Sequence, residues 1–444
     1  MANDRYPTLT KAGQAMLNKM LEHPAAPIYR NESGNCLKKA DLLKVIEFDN
    51  YVKNESVSWP RDDIPYWVDA FVKKTFLDVP HYKKFDPQLN FTDIPTTSRS
   101  ELAQDISQFF PDSIPIERLV NYKTTGTTGN RLIIASHPIV AASYLSFHRK
   151  ALKRFGINLT NGKGQVGIIL VGHQKKCFTY VSVTPMLDES GLAKINLHPN
   201  DWRNPEDRAV YLDALSTELY SGDPLSFSEM LNIETTHKPK ALISVGMKLL
   251  PGLKEKLQKK FSCPVLDIYS MNEAGPIAVF DELINGHVLL QPNLYVEILD
   301  AAGKPVKHGE RGEITLTGGF NFCLPLVRYR TGDFASLSFT PEGPVLFGLE
   351  GRPPVRFFTA KKLWINNIDI SHALSQFALS QFGLHQNKDG SFVLKLSPSA
   401  MSLSNEIIPC LKTELGNAPI SVAEITTEDK IIQYTSDFPG HNCM

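Results

Sequence analysis

Hydrophobic and polar positions along the 444-residue chain change their period several times. Between residues 9 and 95 glycine is sparse and apolar side chains recur at helical spacing, most clearly around Val68 to Phe76. That pattern predicts a mostly helical cover for a core further on. Ser98-Arg99-Ser100-Glu101 has the spacing of a capping box, in which hydroxyl and carboxylate satisfy each other's backbone amides at a helix start. From about 116 to 280, short β-rich apolar runs (Val166 to Val171, Ala241 to Val245, Val265 to Tyr269) alternate with helix-like segments. The latter are Pro138 to Phe155, Glu206 to Tyr220 and Leu249 to Phe261. The alternation predicts an α/β fold, a sheet with helices on its faces. Between 286 and 350 the period shortens, as in Val288 to Leu299 and Gly312 to Leu316, and frequent glycine turns predict a β-rich subdomain. The last hundred residues, from Gly351, read as a small α+β module, and the chain holds no internal repeat or low-complexity tract.

Length and composition narrow the class. A chain of this size exceeds one ordinary core, so a larger unit over 1–350 and a small mobile one over 351–444 are expected. Lysine plus arginine and aspartate plus glutamate number 47 each, which leaves no electrostatic argument for nucleic acid or an anionic membrane as a partner. The N-terminus lacks an apolar signal core and the apolar runs are strand-sized, so a soluble, cytoplasmic protein is expected. Six cysteines, at 36, 177, 263, 323, 410 and 443, show neither Cys-x-x-Cys pairing nor histidine spacing and read as reduced thiols.

The densest chemical signal is Lys123-Thr124-Thr125-Gly126-Thr127-Thr128-Gly129-Asn130. Glycines let several backbone amides point into one concavity, and interleaved threonines add hydroxyl donors, a combination suited to phosphate. It is neither the Walker nor the Rossmann pattern, and taken alone it could be a polar surface turn. Three further segments follow in order: Tyr269-Ser270-Met271-Asn272-Glu273-Ala274-Gly275-Pro276, Arg328-Tyr329-Arg330-Thr331-Gly332-Asp333, and Gly351-Arg352. Together the four resemble the adenylate-forming superfamily of acyl-CoA ligases, luciferases and nonribosomal adenylation domains. The resemblance is nearest to the phenylacetate–CoA ligase-like branch, extends upstream through Val79-Pro80-His81-Tyr82 and Ile94-Pro95-Thr96-Thr97, and covers roughly residues 60 to 370.

What the resemblance implies is ATP-dependent activation of a small carboxylic acid, an aromatic one among the candidates, as acyl-AMP and its transfer to CoA, in aromatic-acid or secondary metabolism. Thr124, Thr125, Gly126, Thr127, Thr128 and Gly129 would close over the β- and γ-phosphates, and Glu273 would hold Mg²⁺. Tyr269 and Asn272 would lie near adenine and phosphate, and Asp333 would accept the ribose hydroxyls. Arg352 would reach ribose or phosphate, whereas Arg328 is better read as a structural ion-pair partner. The acyl pocket would take His173, Cys177, Phe178 and Tyr180 after one strand and Ser244 and Gly246 after another.

The sequence departs from the family pattern in its moving parts. Asn130-Arg131 stands where relatives often place a lysine, and Gly351-Arg352-Pro353-Pro354 lacks the acidic hinge residue. Lys430 is the one counterpart of the lysine that acts in adenylation, without its usual preceding glycine. Two alternatives therefore stand beside the ligase: an acyltransferase of the same fold that relays an acyl group from CoA to an acyl carrier protein through Cys177, and a non-catalytic nucleotide- or acyl-CoA-binding protein. A homodimer is compatible with either.

Overall fold

The computed structural model describes residues 4–61, 63–123, 132–351, 355–427 and 431–439, apart from the side chain of residue 368. The N-terminal stretch builds helices Lys11–Leu21, Lys39–Asn54 and Trp67–Asp78. The last of these buries Val68, Val72, Thr75 and Phe76, the spacing of one helical face. The capping box closes as expected: the Ser98 amide donates to Glu101 Oε2 at 2.8 Å, and the Glu101 amide donates to Ser98 Oγ at 3.4 Å.

Among the described residues thirteen strands form one continuous sheet. Its parallel part runs Val265–Met271, Ala241–Val245, Leu219–Gly222, Val166–Gly172 and Ser190–Asn196, with Tyr180–Thr184 antiparallel at the edge. The strands between 286 and 351 are joined to it by ladder hydrogen bonds, through Gly275–Asp281 and Gly286–Leu289 to Gly343–Gly351. The expected β-rich subdomain is thus an antiparallel extension of the central sheet. One expected helix is shorter than its pattern. The helix starting at Asp207 ends at Leu215, because Ser216 takes a left-handed conformation at φ 46°. Leu219–Gly222 then enters the sheet as a strand buried on both faces, where no alternation survives to mark it. Helices pack on the two faces of the parallel part, around Ile169, Ala193, Tyr220 and Leu242 on one side and Phe147, Ile168, Leu219 and Ile243 on the other.

Beyond Val355 a four-stranded sheet (Ile420–Glu424, Phe392–Leu396, Phe382–Gln386, Tyr434–Ser436) packs with helices Asn367–Leu374 and Ser404–Leu415 around its own core. Leu250 of the larger unit is part of that core. Beside it the Gly252 amide donates to the Ser375 carbonyl at 2.9 Å, and a Cβ at Gly252 would come within 2.4 Å of the Gln376 carbonyl oxygen. Glycine is therefore required where the two units dock. No described helix is long and apolar enough to cross a membrane.

Candidate active site

Strand Val265–Met271 delivers Tyr269, and strand Leu326–Thr340 delivers Asp333. The Tyr269 hydroxyl donates to Asp333 Oδ2 at 2.7 Å, and burial together with the adjacent carboxylate holds that phenol well above its usual range. Asp333 pairs across the ladder with Gly351, and a Cβ at Gly351 would lie 3.2 Å from Asp333 Oδ1. The glycine at the junction of the two units thus leaves room for the carboxylate. A cleft of about 270 Å³ opens between the units, lined by Gly246, Met247, Asp333 and Gly351 on one side and Phe382 and Gln433 on the other.

Glu273 sits in the turn after the Tyr269 strand and is only 2% exposed. Arg99 forms an ion pair with its Oε1, and the Tyr329 hydroxyl donates to the same oxygen at 3.2 Å. Arg99 reaches this place because Thr97–Ser98 adds to the sheet as a short parallel strand, Thr97 opposite Tyr329. Glu273 is thus anchored through Oε1, by a cation and a phenol together. No cluster of three or more His, Cys, Asp or Glu side chains that could hold a metal occurs among the described residues. Mg²⁺ fits such a site only with phosphate oxygens and water completing its shell, which is how this small, hard ion is commonly held. Asn272, next to Glu273, is exposed, and its carbonyl accepts the Tyr144 hydroxyl at 3.5 Å.

The acyl candidates occupy ends of alternate strands of the sheet. Phe178 and Tyr180 meet edge-on with ring centroids 5.6 Å apart, and Phe178 is 54% exposed. His173 packs against His198 at 5.9 Å. Ser244 is fully buried and its hydroxyl has no hydrogen-bond partner among the described residues, while Gly246 turns the chain into the cleft at φ 76°. Two tyrosines that sequence reasoning missed connect these groups to Glu273. Burial raises the Tyr180 and Tyr144 hydroxyls, with Tyr122 the next cause for both, and Tyr144 also feels Glu273. Nothing local marks Tyr122 or Tyr144, since their neighbours come from other elements.

Cys177 is half-buried, and burial pushes its thiol above the usual range, opposed by the Lys194 charge and reinforced by Asp201 and Asp223. An acyl relay needs a readily formed thiolate, and these surroundings disfavour one. Cys177→Ser should therefore keep at least about half of the wild-type turnover, because a thiol that is only a wall of the pocket is replaced by a near-isosteric hydroxyl at small cost. Intact-mass measurement after exposure to acyl-CoA without ATP should show no hydroxylamine-sensitive adduct on either protein; an adduct on wild type alone would restore the relay.

Thr124, Thr125, Gly126, Thr127, Thr128, Gly129, Asn130, Arg131, Arg352 and Lys430 lie outside the described residues. The strands bracketing the Thr/Gly segment, Val120–Lys123 and Ile133–Ser136, pair antiparallel with Lys123 opposite Ile133. Arg328 is structural as expected: it is 2% exposed and donates to Glu297 and to the carbonyls of Thr92, Ile94 and Gly303. A carboxylate does stand at the junction, one residue before Gly351. Glu350 accepts from Asn367 Nδ2 at 2.8 Å and lies 3.7 Å from both Lys248 and Arg311, so it ties the larger unit to the smaller.

Residues 127–322 match the family model described as AMP-binding enzyme. Protein CapK of Staphylococcus aureus is 21% identical across 90% of this chain and 87% of its own. The phenylacetate-coenzyme A ligase of Escherichia coli (strain K12) is 30% identical over 90 residues, 19% of this chain and 21% of that enzyme. A solved structure of 2-hydroxyisobutyryl-CoA ligase, in the postadenylation state with 2-HIB-AMP, superposes with a TM-score of 0.62 at 17% identity. The superposition covers 88% of this chain and 96% of that one. Residues 127–322 thus match the AMP-binding enzyme model, and the chain as a whole has the fold of that solved ligase.

Proposed function

We propose that the protein activates a small carboxylic acid with ATP, releasing pyrophosphate, and passes the acyl group from acyl-AMP to CoA. The observation that carries the reading is the Asp333 carboxylate, oriented by Tyr269 and lining the cleft between the two units. A fixed carboxylate there can accept both hydroxyls of a ribose, and the second half of the cleft belongs to the small unit that would cover the nucleotide. In the activation step a carboxylate oxygen attacks the α-phosphorus and the bond to the pyrophosphate oxygen breaks, so two anions must meet. This demands positioning and charge neutralisation rather than a protein nucleophile. Glu273, anchored through Oε1 by Arg99 and Tyr329, would hold Mg²⁺, which when bound offsets phosphate charge. CoA as acceptor is supported by the named ligases that the chain resembles in fold and in part in sequence. The aromatic surfaces of Phe178, Tyr180, Tyr122 and Tyr144 suit a flat, aromatic acid.

Pyrophosphate exchange with ATP, Mg²⁺ and a library of carboxylic acids tests the reading. Exchange should depend on the acid; absence of exchange with every acid, alongside measurable nucleotide or acyl-CoA binding, would instead support the non-catalytic alternative. Lys430 separates the half-reactions. Lys430→Ala should slow ATP-dependent turnover at least about a hundredfold, the scale of one lost electrostatic donor, yet still convert supplied acyl-AMP. Equal losses in the two assays would remove Lys430 from the adenylation step.

A further inference from the structure

A second cavity, of about 330 Å³, lies between helices Lys39–Asn54 and Pro138–Arg154 and the segment that follows the latter. Lys53, Arg149, Lys150 and Lys153 line it against a single acid, Asp49. Arg149 pairs with Asp49 at 2.7 Å, which leaves three ammonium groups. Lys53 and Lys153 form no ion pair among the described residues, and Lys150 donates at 2.8 Å to the Glu55 carbonyl. Burial lowers the Lys150 pKa to about 8, against the opposing pull of the Glu55 carboxylate. Leu152, Ile157 and Leu159 add an apolar wall. Ser146 also lines the cavity; it is 2% exposed, and its enclosed hydroxyl has no hydrogen-bond partner among the described residues.

Cations near two helix C-termini complement the helix dipoles, which accounts for lysines in the last turns. It does not account for a concave volume with an apolar wall and an unsatisfied hydroxyl, features of a ligand pocket. We propose that this cavity is a second ligand site, taking an organic phosphate whose anionic group is held by Lys53, Lys150 and Lys153 and whose apolar part rests on Leu152, Ile157 and Leu159. It is separate from the nucleotide cleft. Lys153 lies nine residues beyond Tyr144 on one helix, about 14 Å along its axis.

Phenyl phosphate is a probe that combines the two chemistries, with inorganic phosphate and phenol as its separate halves. Isothermal titration of the full chain should show phenyl phosphate bound at least about tenfold more tightly than either half, and weakened by added salt. The double variant Lys53→Gln/Lys153→Gln, which changes two exposed side chains, should lose at least about tenfold in affinity while keeping acid-dependent pyrophosphate exchange. Asp333→Asn should bind the probe as wild type does. Unchanged affinity in the lysine variant, loss in Asp333→Asn instead, or binding of phenyl phosphate no tighter than its halves would each overturn the proposal. Because exchange and probe binding are read separately, failure of the activation reading would be distinguishable from failure of this one.

Discussion

Asp333→Asn should lower acid-dependent pyrophosphate exchange at least about a hundredfold while the protein remains folded. The amide can still accept the Tyr269 hydroxyl, now 2.7 Å from Oδ2, so the local packing survives. It loses the charge and one acceptor that a ribose diol requires. Hydrogen bonds to a charged group contribute about 1.5–3 kcal/mol each, so losing two spans at least two orders of magnitude in rate. Tyr269→Phe, which removes only the orienting donor, should cost about tenfold. An Asp333→Asn enzyme within about threefold of wild type, with unaltered melting, would mean that this carboxylate does not hold the nucleotide.

The largest expected stability effect lies away from the cleft. Arg328→Met should lower the thermal midpoint by at least about 5 °C, from a cost of about 3–5 kcal/mol for leaving a buried carboxylate unpaired. Glu297 is 6% exposed and burial already raises its pKa, opposed by the Arg328 charge, so nothing else is in place to compensate it. The guanidinium also satisfies the carbonyls of Thr92 and Ile94 at 2.6 and 2.8 Å, tying the N-terminal cover to the sheet. Glu297→Gln should be milder, because its side-chain oxygen can still accept from Arg328. A midpoint shift below about 1 °C in Arg328→Met would show that the pair adds nothing to stability.

The contrast between Arg328 and Arg99 shows how far the chain could be read. Arg328 was recognisable as structural because it stands in an apolar strand, where a cation must be paired to be buried. Arg99 was visible only as a neighbour of the capping box, yet it pairs with Glu273 across 174 positions of sequence. The register that joins them, Thr97 opposite Tyr329, depends on a two-residue strand too short to leave a pattern. Glu350 shows the same limit at the junction. A carboxylate is present one residue before Gly351, and only its bond to Asn367 reveals what it does.

The sequence by itself determined the elements whose signals are local. The capping box at Ser98, the helical face of Val68 to Phe76, the strands at Val166, Ala241 and Val265 and the ordered motifs ending in Asp333 follow from neighbouring residues. Tertiary structure decided that the β-rich region continues the central sheet and that Leu219–Gly222 is a strand. It also decided that Arg99 pairs with Glu273 and that the Tyr144 hydroxyl meets the Asn272 carbonyl. The reason is physical: periodicity reports which face of an element avoids water, but not which other element covers that face. Pairings between distant segments are chosen by the packing of the whole chain.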